Sequence, residues 1–194
     1  MFLGTVAMLY ISYVYYNPHV NTAYLKTKYA VMHNRMWYLA LYTHILSSVV
    51  CVSCGFVQFI TSVRQSYPKV HRILGIIYWI AVLLFAAPSG FILGVFANGG
   101  VGAKLSFIST SICWFIFTYL AIRAIYAKQI TTHQQHMIRS YALTLSAVSL
   151  RFFALILPFI IHLSAKQSYT LIAWLSWIPN LFIAELIIRV DKKL

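Results

Sequence analysis

Six apolar stretches follow one another along this 194-residue chain, at residues 2–16, 36–63, 73–97, 105–127, 137–163 and 170–188. The last five run for 19 to 28 residues. A helix rises ~1.5 Å per residue and needs about 20 residues to cross the ~30 Å hydrocarbon core of a bilayer. Each of the five is therefore long enough to span, and the breaks between them are short enough to make successive helices antiparallel neighbours. The predicted class is all-α: a polytopic membrane protein, a six-helix transmembrane bundle with short loops, forming one transmembrane domain over residues 1–194. The first stretch reaches only ~22 Å, so it is a short or tilted span, or one that continues upstream of Met1. No basic residue precedes it and no small-x-small site follows, which argues against a cleaved signal peptide.

Charge agrees with lipid as the solvent. Lys and Arg number 15 against two acids, a formal charge of +13, while 61% of residues are hydrophobic and the mean hydropathy is +0.80. A surface binding nucleic acid would cluster such charge on a polar face. Here the cations sit in the breaks between apolar runs, where loops meet anionic lipid headgroups. One set of helix ends holds Arg64, Lys69, Arg72, Arg123, Lys128, Arg139, Arg189, Lys192 and Lys193; the other holds Lys26, Lys28, Arg35, Lys104 and Lys166. The richer set marks the cytoplasmic side, which predicts a multi-pass plasma (inner) membrane protein with both termini cytoplasmic. Eight of the 14 tyrosines lie in the first 42 residues and read as an aromatic belt. The three cysteines lie inside apolar runs and outline no disulfide framework.

Polar residues inside the runs fall on faces. On a helix from His133 to Arg151, residues His133, Ser140, Thr144, Ala147 and Arg151 point within about 40° of one another. His44, Ser48, Cys51, Gly55, Gln58 and Ser62 align on the second stretch, and His71, Gly75, Tyr78 and Ser89 on the third. Because none of these groups is left unpaired in hydrocarbon, the stripes face inward. For Ser, Thr, Gln and Tyr the plain reading is interhelical hydrogen bonding. Ala86, Gly90 and Gly94 form a small-residue ridge for close helix approach, and Pro88 predicts a kink.

The histidines divide by depth. His71 and His133 open their helices on the cytoplasmic side, with His136 one turn deeper. His44 lies ~12 Å in from the opposite side, and Arg151, ~27 Å from His133, stands near that level. Facing histidines at matched depth are what a b-type haem needs, each giving an imidazole nitrogen to iron. His71 with His133 or His136 meets the condition; His44 suits a five-coordinate site, a quinone hydrogen bond or a structural role. His19, His33 and His162 read as interfacial. Zinc is the weaker reading, since His71, His133 and His136 with Glu185 bring no thiolate. Cys51 and Cys54 match a thiol redox spacing but lie mid-helix, where apolar burial blunts reactivity. Gly99-Gly100-Val101-Gly102-Ala103-Lys104 lacks the Gly-Lys-Ser/Thr order of a phosphate loop and reads as a tight outer turn. Arg151 requires an acceptor at its depth: a haem propionate, a quinone oxygen, a lipid phosphate or backbone carbonyls. Glu185 suits Arg72 or Arg139.

From about His44 to Glu185 the chain resembles the bacterial membrane proteins of the domain of unknown function family 2306. The resemblance is carried by His44 with Gly55, Gln58 and Phe59; by Arg64, Pro68, His71-Arg72, Gly75 and Tyr78; by His133 with Met137-Ile-Arg139-Ser140-Tyr141-Ala142 and Arg151; and by Trp177-Ile-Pro179-Asn180 with Glu185. In the usual pattern Arg follows His133 and Trp stands at the place of His136. The departures at Gln134 and His136 make His133 the better ligand candidate. The bundle and its histidines also look like those of b-type cytochromes and ferric reductases, an analogy at the level of the fold.

The leading functional expectation is a haem-b-binding membrane protein that passes electrons between a quinone or cytoplasmic donor and an acceptor. His71 and His133 ligate iron, Arg139 and Arg151 compensate propionate or quinone charge, and Tyr78 and Tyr141 hydrogen-bond nearby. The alternatives are a small transporter or channel with a polar-lined core and a non-catalytic membrane subunit. No nucleophile-base constellation points to catalysis.

Overall fold

The computed structural model describes Lys28, Val31 and residues 33–191, and these contain helix and no strand. The helices are α1 (Arg35–Gln58), α2 (Thr61–Ser66), α3 (Pro68–Ile80), α4 (Ala87–Val95), α5 (Val101–Tyr126), α6 (Ile130–Thr144), α7 (Ser146–Ile160), α8 (Ala165–Leu175) and α9 (Ile178–Asp191), with a π-helical segment, Ala81–Ala86, joining α3 to α4. Among the described residues they make five spans long and apolar enough to cross a membrane: Arg35–Gln58, Pro68–Val95, Val101–Tyr126, Ile130–Ile160 and Ala165–Val190. The expected first helix, 2–16, lies outside the described residues. The chain divides into two compact units, residues 1–96 and 97–194.

The spans start earlier than the apolar runs because helices open on polar turns. Pro68 begins α3 at a position where its missing N–H costs nothing. Gly100, at φ 82°, caps α5 in a conformation that suits glycine. Ser164 and Gln167 form a reciprocal capping box on α8. Conversely, the run predicted to continue to Val63 stops at Gln58, and Thr61–Ser66 is a separate short helix. Ser62 is therefore exposed and not on the inner stripe.

In the first unit α1 packs along α3, the π segment and α4. Its buried positions include Trp37, Ala40, Leu41, Ser47, Cys51, Val52, Gly55 and Gln58, a helical stripe. Gln58 Nε2 donates to the His71 carbonyl at 2.9 Å and its amide lies against Gly75. Pro88 does not simply kink its helix. It has no N–H to donate and its ring crowds the carbonyl four residues back. The turn before it widens, so that the Ala87 N–H reaches Val82. Ala86, Gly90 and Gly94 are all buried, as a close-packing ridge requires.

In the second unit α5 packs on α6 and α8, α6 on α9, and α7 on α8. Buried polar groups knit these helices. Thr118 and Ser140 share a hydrogen bond at 2.7 Å between α5 and α6, and Trp177 Nε1 donates to Ser106 Oγ at 2.9 Å. Phe152, Leu155 and Phe159 stand exposed, as side chains facing acyl chains do. A double-mutant cycle on Thr118→Val and Ser140→Ala, read by unfolding in detergent or bicelles, should give a coupling of about 0.6 kcal/mol, the average for such bonds in membranes.

Candidate functional site

Two histidines inside the spans are held in the same way. His44, on α1, places Nδ1 2.9 Å from the Ala86 carbonyl in the π segment. His133, in the first turn of α6, places Nδ1 2.8 Å from the Ala121 carbonyl of α5. A carbonyl only accepts, so Nδ1 carries the proton in both rings. In the neutral imidazole the lone pair is then on Nε2, the arrangement found in metal-ligating histidines whose other nitrogen is tied to a backbone carbonyl. Both acceptors belong to fully buried alanines, whose small side chains let the ring reach the backbone. Ser89 Oγ also lies 3.3 Å from His44 Nδ1, while its own proton goes to the Phe85 carbonyl.

Beside His136 the second unit places an ion pair. Arg139 forms a two-pronged ion pair with Glu185, Nε to Oε1 at 2.5 Å and Nη2 to Oε2 at 3.0 Å. Of the two partners expected for Glu185, Arg139 is thus the observed one. The guanidinium also lies 5.8 Å from the Phe117 ring centre, and His136 stacks on that ring with centroids 6.2 Å apart. His136 is three residues from both His133 and Arg139 and so neighbours each of them on the helix surface. His136 Nδ1 is buried and has no hydrogen-bond partner among the described residues. Buried nitrogens are nearly always bonded, so this one marks a place suited to a further polar or metallic group.

The remaining expected site residues are placed as follows. His71 lies in the first unit, at the start of α3, with its carbonyl taken by Gln58. Tyr78 and Tyr141 are buried within the first and second units. Arg151 donates from Nη1 to the Ala147 carbonyl at 2.8 Å, so a backbone carbonyl is one acceptor at its depth. The His133–Arg151 stripe is not one helix: it is interrupted at Leu145, between α6 and α7. Among the described residues, no three His, Cys, Asp or Glu side chains gather as a metal site requires. Gly99 and Gly100, at φ 85° and 82°, confirm the tight turn before α5.

Sequence reasoning missed Ala86 and Ala121, because a backbone acceptor leaves no mark in side-chain chemistry. Asn180 stands out in the sequence only as part of the Trp177-Ile-Pro179-Asn180 motif. Asn180 Nδ2 donates to the Ala142 and Ser176 carbonyls at 3.2 and 3.1 Å, and its Oδ1 accepts from Ser149 at 2.9 Å.

The ion pair generates a stability prediction. Glu185→Ala leaves a guanidinium without its carboxylate in a spanning helix and should destabilise the protein by about 1–3 kcal/mol, below the range for fully buried pairs because the carboxylate is partly open. The joint Arg139→Met/Glu185→Leu change should recover most of that loss in the same unfolding measurement.

No curated protein sequence and no solved structure matches the chain. A family model described as "Predicted membrane protein (DUF2306)" matches residues 41–188, a stretch that contains every site residue above. That match covers about three quarters of the sequence, and the chain belongs to the DUF2306 family of predicted membrane proteins.

Proposed function

We propose that the protein holds haem b within the bilayer and serves in membrane electron transfer, with His133 as an iron ligand. The observation that carries this reading is the His133 Nδ1–H bond to the Ala121 carbonyl, which leaves Nε2 as the coordinating nitrogen. The unpartnered, buried Nδ1 of His136 three residues on adds a second sign that the site suits a polar or metallic ligand. Haem, when bound, supplies a one-electron couple.

The chain's own residues then have defined work. Ala121 fixes the tautomer and rotation of His133. Glu185 neutralises Arg139, so the pair adds little net charge to the low-dielectric surroundings, and Phe117 keeps water from its face. Arg151, donating to Ala147, is a cation at depth suited to a propionate. His44, held in the same tautomer, is suited to a second site in the first unit. His71 is a ligand candidate on its depth in the sequence.

The same reading places the protein in the plasma membrane with both termini cytoplasmic, on the excess of basic residues at one set of helix ends. Arg64, Lys69 and Arg72, all exposed, suit anionic headgroups at that face. A second reading draws on the Arg139–Glu185 pair beside His136: ionisable groups inside spans also mark proton or solute paths, as in a small transporter or channel.

An absorption spectrum with elemental analysis of detergent-purified protein tests the choice. The haem reading expects a Soret band and iron, abolished in His133→Ala and strongly reduced in Ala121→Leu, whose side chain blocks the positioning carbonyl. A colourless, iron-free protein from haem-replete cells removes it. Flux into proteoliposomes that depends on Glu185, without a chromophore, would establish the transport reading.

A further inference from the structure

Helices break for few reasons: proline, glycine or serine pairs, π-bulges, or a side chain inserted into the i→i−4 ladder. The break at Ser176–Trp177, between α8 and α9, has the first. Pro179 has no N–H, and its ring crowds the Leu175 carbonyl four residues back. The break at Leu145, between α6 and α7, has no proline or glycine within the helices it separates except Pro158, far along α7. Leu145 itself keeps a helical φ of −72° with ψ of −8°. Its cause is therefore tertiary.

The second unit supplies that cause. The Ala142 carbonyl, which an uninterrupted helix would give to the Ser146 N–H, accepts from Asn180 Nδ2. The same amide nitrogen reaches back to Ser176, at the other break, and its oxygen takes the Ser149 hydroxyl on the far side of Leu145. One side chain thus bonds residues before and after the first break and the edge of the second. Thr144 Oγ1 also bonds the Ser140 carbonyl, a contact that bends helices only slightly.

We infer that Asn180 is a latch: its carboxamide holds the α6–α7 span in a broken form, and releasing Nδ2 from Ala142 lets the Ser146 N–H reclaim that carbonyl and straighten the span. The donor half of the amide does the holding, and the Ser149 bond steadies the ring of contacts without causing the break. In function the latch sets the direction of the half bearing Arg151 relative to the half bearing His133. The inference stands whether or not haem binds.

The test uses full-length protein in lipid nanodiscs, with Cys51, Cys54 and Cys113 changed to Ser. Spin labels are placed at Ile116 on α5 and Leu155 on α7, both exposed. Leu155 lies ten residues beyond Leu145, ~15 Å along the helix, so undoing a kink of about 20° moves its label by ~5 Å. Asn180→Ala and the near-isosteric Asn180→Asp, which lacks the amide donor, should both shift the 116–155 distance by that amount. Ser149→Ala and Thr144→Val should leave it unchanged. If Asn180→Ala does not fold, Asn180→Asp decides. A native distance in Asn180→Asp, or a shift in Thr144→Val equal to that expected for Asn180, overturns the latch.

Discussion

Everything in this molecule follows from the absence of water as a hydrogen-bond partner inside the bilayer. A backbone or side-chain polar group left unbonded there costs several kcal/mol, so each departure from a plain α-helix must come with a replacement partner. The structure shows the departures and the replacements together. Where Pro88 removes a donor, the preceding turn widens and the Ala87 N–H bonds the Val82 carbonyl. Where the ladder fails at Leu145, Asn180 bonds the Ala142 carbonyl. At the start of α6, Ala121 gains His133.

The same constraint governs charge. With two acids in the sequence, a cation inside a span has few carboxylates to meet. Arg139 takes Glu185 with both prongs, whereas Arg151 turns to a backbone carbonyl of its own helix. These two solutions differ in consequence. The paired guanidinium is electrically close to neutral, while the carbonyl-bonded one keeps its full charge and hence its attraction for an anionic group. On the proposed reading, Arg151 is the cation suited to a ligand's anionic group.

Hydropathy made the spans legible, because twenty apolar residues in sequence have one common fate in a chain of this composition. The inward direction of the polar faces was legible too: Cys51, Gly55, Gln58, Ser140 and Thr144 are buried as the stripes require. The breaks were not. Leu145 sits among Ala, Leu, Thr and Ser with no local signal, and its disruption is imposed from thirty-five residues away by Asn180. Helix starts lie before the apolar runs because the opening turns are polar, and a polar turn looks like a break in hydropathy. Within the candidate site the histidines were found from their type and depth. Their orientation was not, since it depends on alanine carbonyls that no pattern of side chains reveals.

Orientation is what narrows the chemistry. A quinone presents carbonyl oxygens, which need an N–H donor. A neutral His133 has committed its one N–H, through Nδ1, to the backbone, and so carries its lone pair on Nε2. Such a nitrogen suits a Lewis acid or the O–H of a reduced quinol, not the carbonyl of the oxidised ring. On the proposed reading, the tautomer of His133 therefore suits iron better than an oxidised quinone.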